Sequence, residues 1–323
     1  NPISNQVVFA YNRWGVSGGA NDDIGIGSQS SGNPDYTSSA TAGNYTTRKI
    51  VILTRPGSHV TFTDMPKNRS LHPRNLTTNK ATIVVAGSET EGGYDNAVLR
   101  LYRNDVFVSE TVQALTYATG SAPFSFSTEI TAELADYDFE VLLDNGGVRH
   151  IVRRSTDVVA GDAYLVYGQS NSEAARGLAV IATTTANDYA SPWVRTFGQN
   201  ADSGDATRNN LSWVQAEGDG WGQGIADPGA IGQWPIVLGR KIVDDHSIPV
   251  AILNGGRGGY NITQLQKDDA QPNNLDDNGV TKRTYNRLRF RAQQSDVADS
   301  ARAIFYYQGE SDNGDAPVHS NGF

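Results

Sequence analysis

Apolar residues in this chain come in short runs, and the character of those runs changes once, near residue 158. Up to that point they alternate with polar residues or are cut by Gly, Asn and Asp. Tyr137, Phe139, Val141 and Leu143 fall on one face at period two, and Asp144-Asn145-Gly146-Gly147 turns the chain back into residues 148–152. Beyond it the runs are nearly continuous, at 163–167, 248–253 and 303–307, which is how strands covered on both faces of a parallel sheet read. None approaches the ~20 apolar residues that a membrane helix needs. The chain is therefore strand-rich and has no helical membrane span; 34 glycines in 323 residues, against a usual ~7%, supply its many turns.

Three segments follow from this pattern. Residues 1–47 hold one apolar run, Val7-Val8-Phe9-Ala10-Tyr11, and then a Gly/Ser/Asn/Thr-rich stretch with no helical periodicity, so they are expected to form an irregular extension. Residues 48–157 are expected to form an antiparallel β-sandwich accessory domain, with strands at 50–53, 60–62, 82–85, 98–102 and 106–108 and a hairpin turn at Asn104-Asp105. Residues 158–323 alternate strand and helix, with helices predicted over 233–245, where Pro235 fits the first turn, and over 282–299. That alternation predicts an α/β layer on a mostly parallel sheet. Ligands of such sheets sit at the carboxyl ends of the strands.

Lys and Arg number 26 against 35 Asp and Glu, a net charge of −9. The balance lacks the cationic face that neutralises nucleic-acid phosphates or an anionic membrane surface, so neither partner is expected. With no cysteine in the chain, disulfides, thiolate nucleophiles and Cys-ligated metal sites are excluded. The acidic stretch Asp268-Asp269 to Asp276-Asp277-Asn278-Gly279 lacks EF-hand spacing and is expected to be a solvated loop rather than a calcium site. Sequons at Asn44, Asn68, Asn75, Asn210 and Asn261 arise by chance in a chain so rich in Asn, Ser and Thr, and carry no weight.

The three continuous runs end in residues that can act together. The first leads into Gly168-Gln169-Ser170-Asn171, the second into Asn254-Gly255-Gly256-Arg257-Gly258-Gly259-Tyr260-Asn261, and the third into Gln308-Gly309-Glu310-Ser311-Asp312. A serine on a sharp strand-to-helix turn is exposed and close to backbone N–H groups, where acyl transfer needs its nucleophile. Gly258 and Gly259 let backbone N–H groups approach a developing oxyanion, and Gln308 offers an amide donor. Singly, each block has an ordinary use: a helix N-cap serine, a tight connection, a polar strand end. The glycine loop matches neither a Walker motif nor G-x-G-x-x-G. The functional reading rests on the three blocks occurring together.

Those blocks, Gly168-Gln169-Ser170-Asn171, Gly258-Gly259-x-x-Ile262 and Tyr307-Gln308-Gly309-Glu310-Ser311-Asp312, resemble the signature blocks of the sialate O-acetylesterase-like carbohydrate esterases, a branch of the SGNH hydrolases. The resemblance covers residues 158–323, and the preceding sandwich is similar to an accessory domain of such enzymes. It implies an SGNH-type three-layer α/β/α domain with a mostly parallel sheet, preceded by the antiparallel sandwich. It also implies Ser170 as nucleophile, and the N–H groups of Ser170 and Gly258 with the Gln308 side chain as oxyanion hole. Gln169, Asn171, Gly259, Tyr260 and Glu310 would contact substrate.

The family's Asp-x-x-His element, the general base and its orienting partner, has no match. The histidines are His59, His72, His150, His246 and His319, and the residue three before His319 is Ala316. The α/β domain is thus expected to be truncated at its C-terminus, with a further strand and helix wanting, or to be completed by a second polypeptide. Trp193, Trp213, Trp221 and Trp234 lie in and around a long connection over 190–234 that is expected to face the substrate.

Together these observations predict a serine esterase that removes O-acetyl groups from a glycan, secreted or periplasmic, with no cofactor, since acyl transfer by serine requires none. A secretion signal is expected to have been removed or to lie outside the chain, which opens at Asn1. Two competitors stand beside it: a non-catalytic carbohydrate-binding or surface-assembly protein that retains the pocket, favoured by the unmatched histidine, and a lipase or thioesterase, disfavoured by the polar approach loops.

Overall fold

The computed structural model describes residues 6–12, 48–54, 59–175, 186–201, 203–218, 228–278 and 282–313. The chain divides into two compact units, residues 1–59 and 60–323. In the first, β1 (Gln6–Asn12) and β2 (Arg48–Thr54) form an antiparallel two-stranded sheet with Val8 opposite Ile52. The rest of the expected extension lies outside the described residues.

The second unit opens with eight strands: β3 (Val60–Asp64), β4 (Leu71–Pro73), β5 (Lys80–Glu89), β6 (Asn96–Arg103), β7 (Val106–Ala114), β8 (Ala122–Thr131), β9 (Tyr137–Asn145) and β10 (Val148–Gly168). It continues with α1 (Ser170–Glu173), β11 (Val194–Phe197), α2 (Gly204–Asn209), β12 (Trp213–Gln215), α3 (Gln233–His246), β13 (Val250–Asn254), α4 (Ile262–Leu265), α5 (Thr284–Gln294) and β14 (Ala301–Tyr307). No helix among the described residues is long and apolar enough to cross a membrane.

A β-sandwich is present. The sheet β3-β5-β8 faces β6, β9 and the first part of β10 across one core. Period-two alternation sends Ala81, Ile83 and Val85 of β5 and Phe124 and Phe126 of β8 inward, against Leu99 and Leu101 of β6 and Phe139, Val141 and Leu143 of β9. The β6–β7 hairpin turns at Asn104 (φ 47°) and Asp105 (φ 61°), both left-handed as a two-residue I′ turn requires. On β9 the outward residues are buried as well, because arginines cover them: Arg154 reaches Asp138 at 2.7 Å, Arg100 reaches Glu140 at 3.6 Å and Arg149 reaches Asp144 at 2.9 Å.

The expected three-layer α/β/α domain on a mostly parallel sheet, set behind a sandwich of its own, is overturned. Fourteen strands stand against five α-helices among the described residues, and three of those helices, α1, α2 and α4, are only four to six residues long. The large sheet has nine strands, ordered β12-β11-β13-β10-β9-β6-β7 with β4 and β14 also on β10. It is mixed, with four parallel pairs (β10 with β4, β13 and β14; β11 with β13) and four antiparallel ones.

The physical reason lies in β10. Residues 148–152 and 163–167 read as strands of two separate layers, yet they belong to one strand of 21 residues. Asp157 takes a left-handed φ of 58° at a register shift between Ser155 and Val158, so the strand bends at a bulge and goes on. Gly161 does not turn the chain: a Cβ there would overlap the Pro249 carbonyl, so the glycine permits close approach of neighbouring backbone.

Around the C-terminal part of β10, α3 packs Ile236 and Val243 on Val166, Val194 and Ile252, while α5 packs Leu288 and Ala292 on Leu165, Ala251 and Leu253. The predicted 282–299 helix is shorter because Ser295 Oγ turns back to Arg291 O at 2.8 Å and Asp296 is left-handed at φ 60°.

Asp162 locks β10 to the elements beside it. Its buried carboxylate accepts two N–H groups from Arg74, at 3.0 and 2.8 Å, and the Arg302 Nε–H of β14 at 2.8 Å. Burial alone would raise its pKa, but the two guanidiniums outweigh it and hold the carboxyl below the usual range. Asp162→Asn is expected to cost about 3 kcal/mol, since it leaves two arginines short of their partner, as read by equilibrium denaturation at pH 7. Because the folded pKa is depressed, this contribution is full above the ordinary Asp value of about 3.9 and fades as pH falls through the folded one. The difference between wild type and variant should therefore shrink in acid.

Candidate active site

Each of the three continuous runs delivers its polar block at a strand end. β10 ends at Gly168, whose φ of 131° no side chain tolerates well, and a Cβ there would overlap the Tyr307 carbonyl. The sharp turn starts α1 at Ser170. Ala174, left-handed at φ 56°, closes the helix by donating its N–H to Ser170 O. Inside the turn Ser172 is fully buried: its Oγ lies 2.7 Å from Tyr167 O and 2.8 Å from Tyr307 O and accepts the Tyr307 N–H at 3.0 Å. Ser170 points the other way and is exposed. Neither its N–H nor its Oγ is engaged by another residue among those described.

The blocks are stitched together by hydrogen bonds. Between the first and third, Gln169 N–H donates to Tyr307 O at 2.9 Å, Ser311 N–H donates to Gln169 Oε1 at 2.9 Å, and Asn171 Nδ2 donates to Glu310 Oε1. Between the first and second, Arg257 N–H donates to Gly168 O at 2.9 Å and Gly258 N–H donates to Glu173 Oε2 at 2.7 Å. Between the second and third, Ile262 N–H donates to the Asp312 carboxylate at 3.1 Å, and the same carboxylate accepts from Gln308 Nε2.

Of the residues singled out by sequence, Ser170, Gly258, Gln169, Asn171, Gln308 and Glu310 are thus brought to one strand-end cluster. The built Cβ position of Gly258 is 3.8 Å from Ser170 Cβ. Gly259, at φ 77°, has open space around it. Tyr260 is half-buried and packs on the core beneath β10 and β13. The Gly258 N–H is committed to Glu173, whereas Gln308 Nε2 spends one of its two protons on Asp312 and keeps the second.

Asn254, which opens the second block, and arginines not singled out beforehand hold this arrangement. Asn254, 1% exposed at the end of β13, donates to Ser172 O and Ile231 O, each at 2.8 Å, and accepts the Gly256 N–H at 2.7 Å. Arg291 is fully buried and donates to Phe197 O at 2.9 Å and Asn254 O at 2.7 Å, tying the ends of β11 and β13. With no carboxylate beside it, burial lowers its pKa to about 10. Arg283, Arg287 and Arg291 fall at spacings of four, which was the available signal. The first two hold the acidic loop, Arg283 with Asp268 at 3.1 Å and Arg287 with Asp277 at 2.8 Å.

Histidine is not part of the cluster among the described residues. His72, on β4, sits 3.0 Å from Ser70 Oγ, and burial lowers its pKa to about 4. His150 packs edge-on to Tyr94, and His246 ends α3. His319 and Trp221 lie outside the described residues. The 190–234 connection is not a simple loop, since β11, α2 and β12 lie within it. Beside Asn171 opens a cavity of about 450 Å³ lined by Trp234, Phe305, Tyr306 and Tyr307. Trp234 Nε1 donates to Asn171 O at 2.7 Å, and its ring meets Phe305 edge-on at 6.2 Å. Burial, with the Asp312 charge, pushes the Tyr306 hydroxyl up to about 12, so it stays a neutral phenol.

No protein-family model and no curated protein matches the chain. Solved structures similar to it include a carbohydrate acetylesterase from Xanthomonas citri, 18% identical over 80% of this chain and 52% of that one, with a TM-score of 0.43. A protein from Arabidopsis thaliana is 16% identical over 47% of this chain and 58% of its own, with a TM-score of 0.31. A β-glucuronidase from Bacteroides uniformis is 12% identical over 80% and 34%, with a TM-score of 0.29. The chain spans about half the length of the first of these. At such identities and TM-scores none of them assigns it an activity.

Two glycines separate backbone conformation from steric overlap. Gly259→Ala, left-handed but in open space, is expected to cost about 1 kcal/mol. Gly168→Ala, which also meets the Tyr307 carbonyl, should cost about 3 kcal/mol or more. Equal denaturation midpoints for the two variants would contradict the overlap at Gly168.

Proposed function

We propose that the chain carries the nucleophile side of a serine esterase that removes O-acetyl groups from a glycan. The observation that supports this most is Ser170. It is exposed on a strained strand-to-helix turn, with Oγ and N–H both disengaged, beside a glycine loop and a glutamine amide delivered by two neighbouring parallel strands.

In this reading Ser170 Oγ attacks the acetyl carbonyl carbon. The oxygen that gains charge is met by Ser170 N–H and by the second proton of Gln308 Nε2, donors aimed where charge develops. Collapse expels the sugar hydroxyl with a proton and leaves acetyl-Ser170, which water then hydrolyses to acetate. No described histidine is placed to take the Ser170 proton, so this reading requires a base other than the described histidines. The aromatic cavity beside Asn171 supplies flat faces of the kind on which sugar rings stack. Gln169, Gly259, Tyr260 and Glu310 remain candidate substrate neighbours, and the substrate class carries with it a secreted or periplasmic location.

A second reading, a glycan-binding protein that keeps the pocket without turnover, is favoured by one observation: no described histidine stands near Ser170. Acetate release from an acetylated xylan and from an O-acetylated sialic acid separates the two. Ser170→Ala should abolish release, and Gln308→Ala should lower kcat by about 100-fold or more. Glycan binding without acetate release from the natural full-length protein would decide for the second reading. Trp234→Ala is expected to raise KM for a polysaccharide several-fold while leaving nitrophenyl acetate turnover within about twofold, because the small ester leaves the cavity empty.

A further inference from the structure

Glu173 is a buried carboxylate that the mechanism above does not use. It sits three residues after Ser170, so the single turn of α1 puts both on the side facing the glycine loop. Its Oε2 accepts the Gly258 N–H at 2.7 Å, and its Oε1 faces Arg257 Nη1 at 3.4 Å, both side chains being nearly enclosed. A Cβ at Gly258 would stand 2.9 Å from Glu173 Oε2, so a larger residue there would make the carboxylate shift.

Holding the strand ends together does not require this carboxylate. Asn254 already joins α1 to β13 through Ser172 O and Gly256 N–H, and Arg291 anchors Asn254 from below. A largely enclosed ion pair such as Glu173 with Arg257 contributes little net stability, since desolvation offsets the attraction. What Glu173 adds is position. It draws residues 257 and 258 against the helix whose first residue is Ser170, so close that a Cβ at Gly258 would stand 3.8 Å from Ser170 Cβ.

We infer that Glu173 is the positioning residue of the esterase site, acting through the Gly258 N–H to hold the glycine loop against Ser170. The inference rests on the esterase reading. It revises the part expected of Gly258, whose N–H serves the loop rather than the oxyanion. A glutamine at 173 keeps an acceptor for the Gly258 N–H, whereas alanine removes it and aspartate withdraws it by one methylene.

The experiment compares wild type, Glu173→Gln, Glu173→Asp and Glu173→Ala by two readouts: hydrogen exchange at the Gly258 amide, and kcat and KM for acetate release from acetylated xylan. Expected are slow exchange in wild type and Glu173→Gln, and exchange about tenfold faster or more in Glu173→Ala and Glu173→Asp. With it should come a kcat about 100-fold lower in those two variants at a KM within about threefold, and rescue by glutamine to within about fivefold, since small misplacements cost about this much. Unchanged Gly258 exchange in Glu173→Ala overturns the inference, and so does glutamine failing as badly as alanine. Should Glu173→Ala not fold, Glu173→Asp decides by the same criteria. A wild type that releases no acetate overturns the esterase reading instead, while the exchange data still decide whether Glu173 holds Gly258.

Discussion

Backbone hydrogen bonding along β10 carries the architecture of the larger unit. The strand begins as the antiparallel partner of β9 in a sandwich and, beyond the bulge at Asp157, becomes the centre of a parallel group with β4, β13 and β14. A strand covered on both faces and hydrogen-bonded on both edges has no freedom of register, because a slip of one residue would reverse every side chain. Asp162 adds a charged pin in the same strand, clamping Arg74 after β4 and Arg302 on β14 to it. The position of Ser170, two residues past the end of β10, is inherited from that register.

The candidate site is held by polar groups inside the fold rather than by its rim. Asn254, Ser172 and Arg291 are all buried and spend their hydrogen bonds on backbone atoms of the strand ends. Buried polar groups are costly unless satisfied. A cluster of this kind therefore narrows the arrangements open to the loops it joins, and leaves Ser170 exposed beside it with its hydrogen-bonding groups unspent among the described residues.

Much of this was legible in the sequence, for reasons that differ by element. Period-two alternation marked β9, short punctuated apolar runs marked β5 and β6, and paired turn residues marked both hairpins, since these patterns come from local backbone geometry. The three polar blocks were legible because each follows a continuous apolar run. What was not legible was the joint at Asp157. A bulge and a domain boundary leave the same trace in one dimension, a polar residue between two strand-like runs, and only the partners of the strand distinguish them. The short strands β11 and β12 were hidden because three or four residues give no period to read. Glu173 and Arg291 were hidden because burial, not residue type, makes them matter, and a carboxylate or guanidinium in a helix is read by default as solvated. The alternation on β9 was read correctly on its inward face, but its outward face is buried by arginines that come from other strands.

The dual membership of β10 also has a consequence for synthesis on the ribosome. The partners of its first part, β9 and, beside it, β6, precede it closely in the chain and can form as soon as it emerges. Of the partners of its second part, β4 precedes it, but β13 and β14 lie at residues 250–254 and 301–307, so they appear only after some hundred further residues have been translated. Until then the stretch from Val158 to Tyr167, buried on both faces in the finished fold apart from the half-buried Tyr164, hangs from a completed sandwich with β4 beside residues 159–161 and neither edge of residues 163–167 paired. Exposed strands awaiting distant partners are the places where nascent chains associate wrongly. Slow parallel pairing of this kind makes the growing chain a natural client for a holding chaperone during the interval in which its central strand is only half dressed.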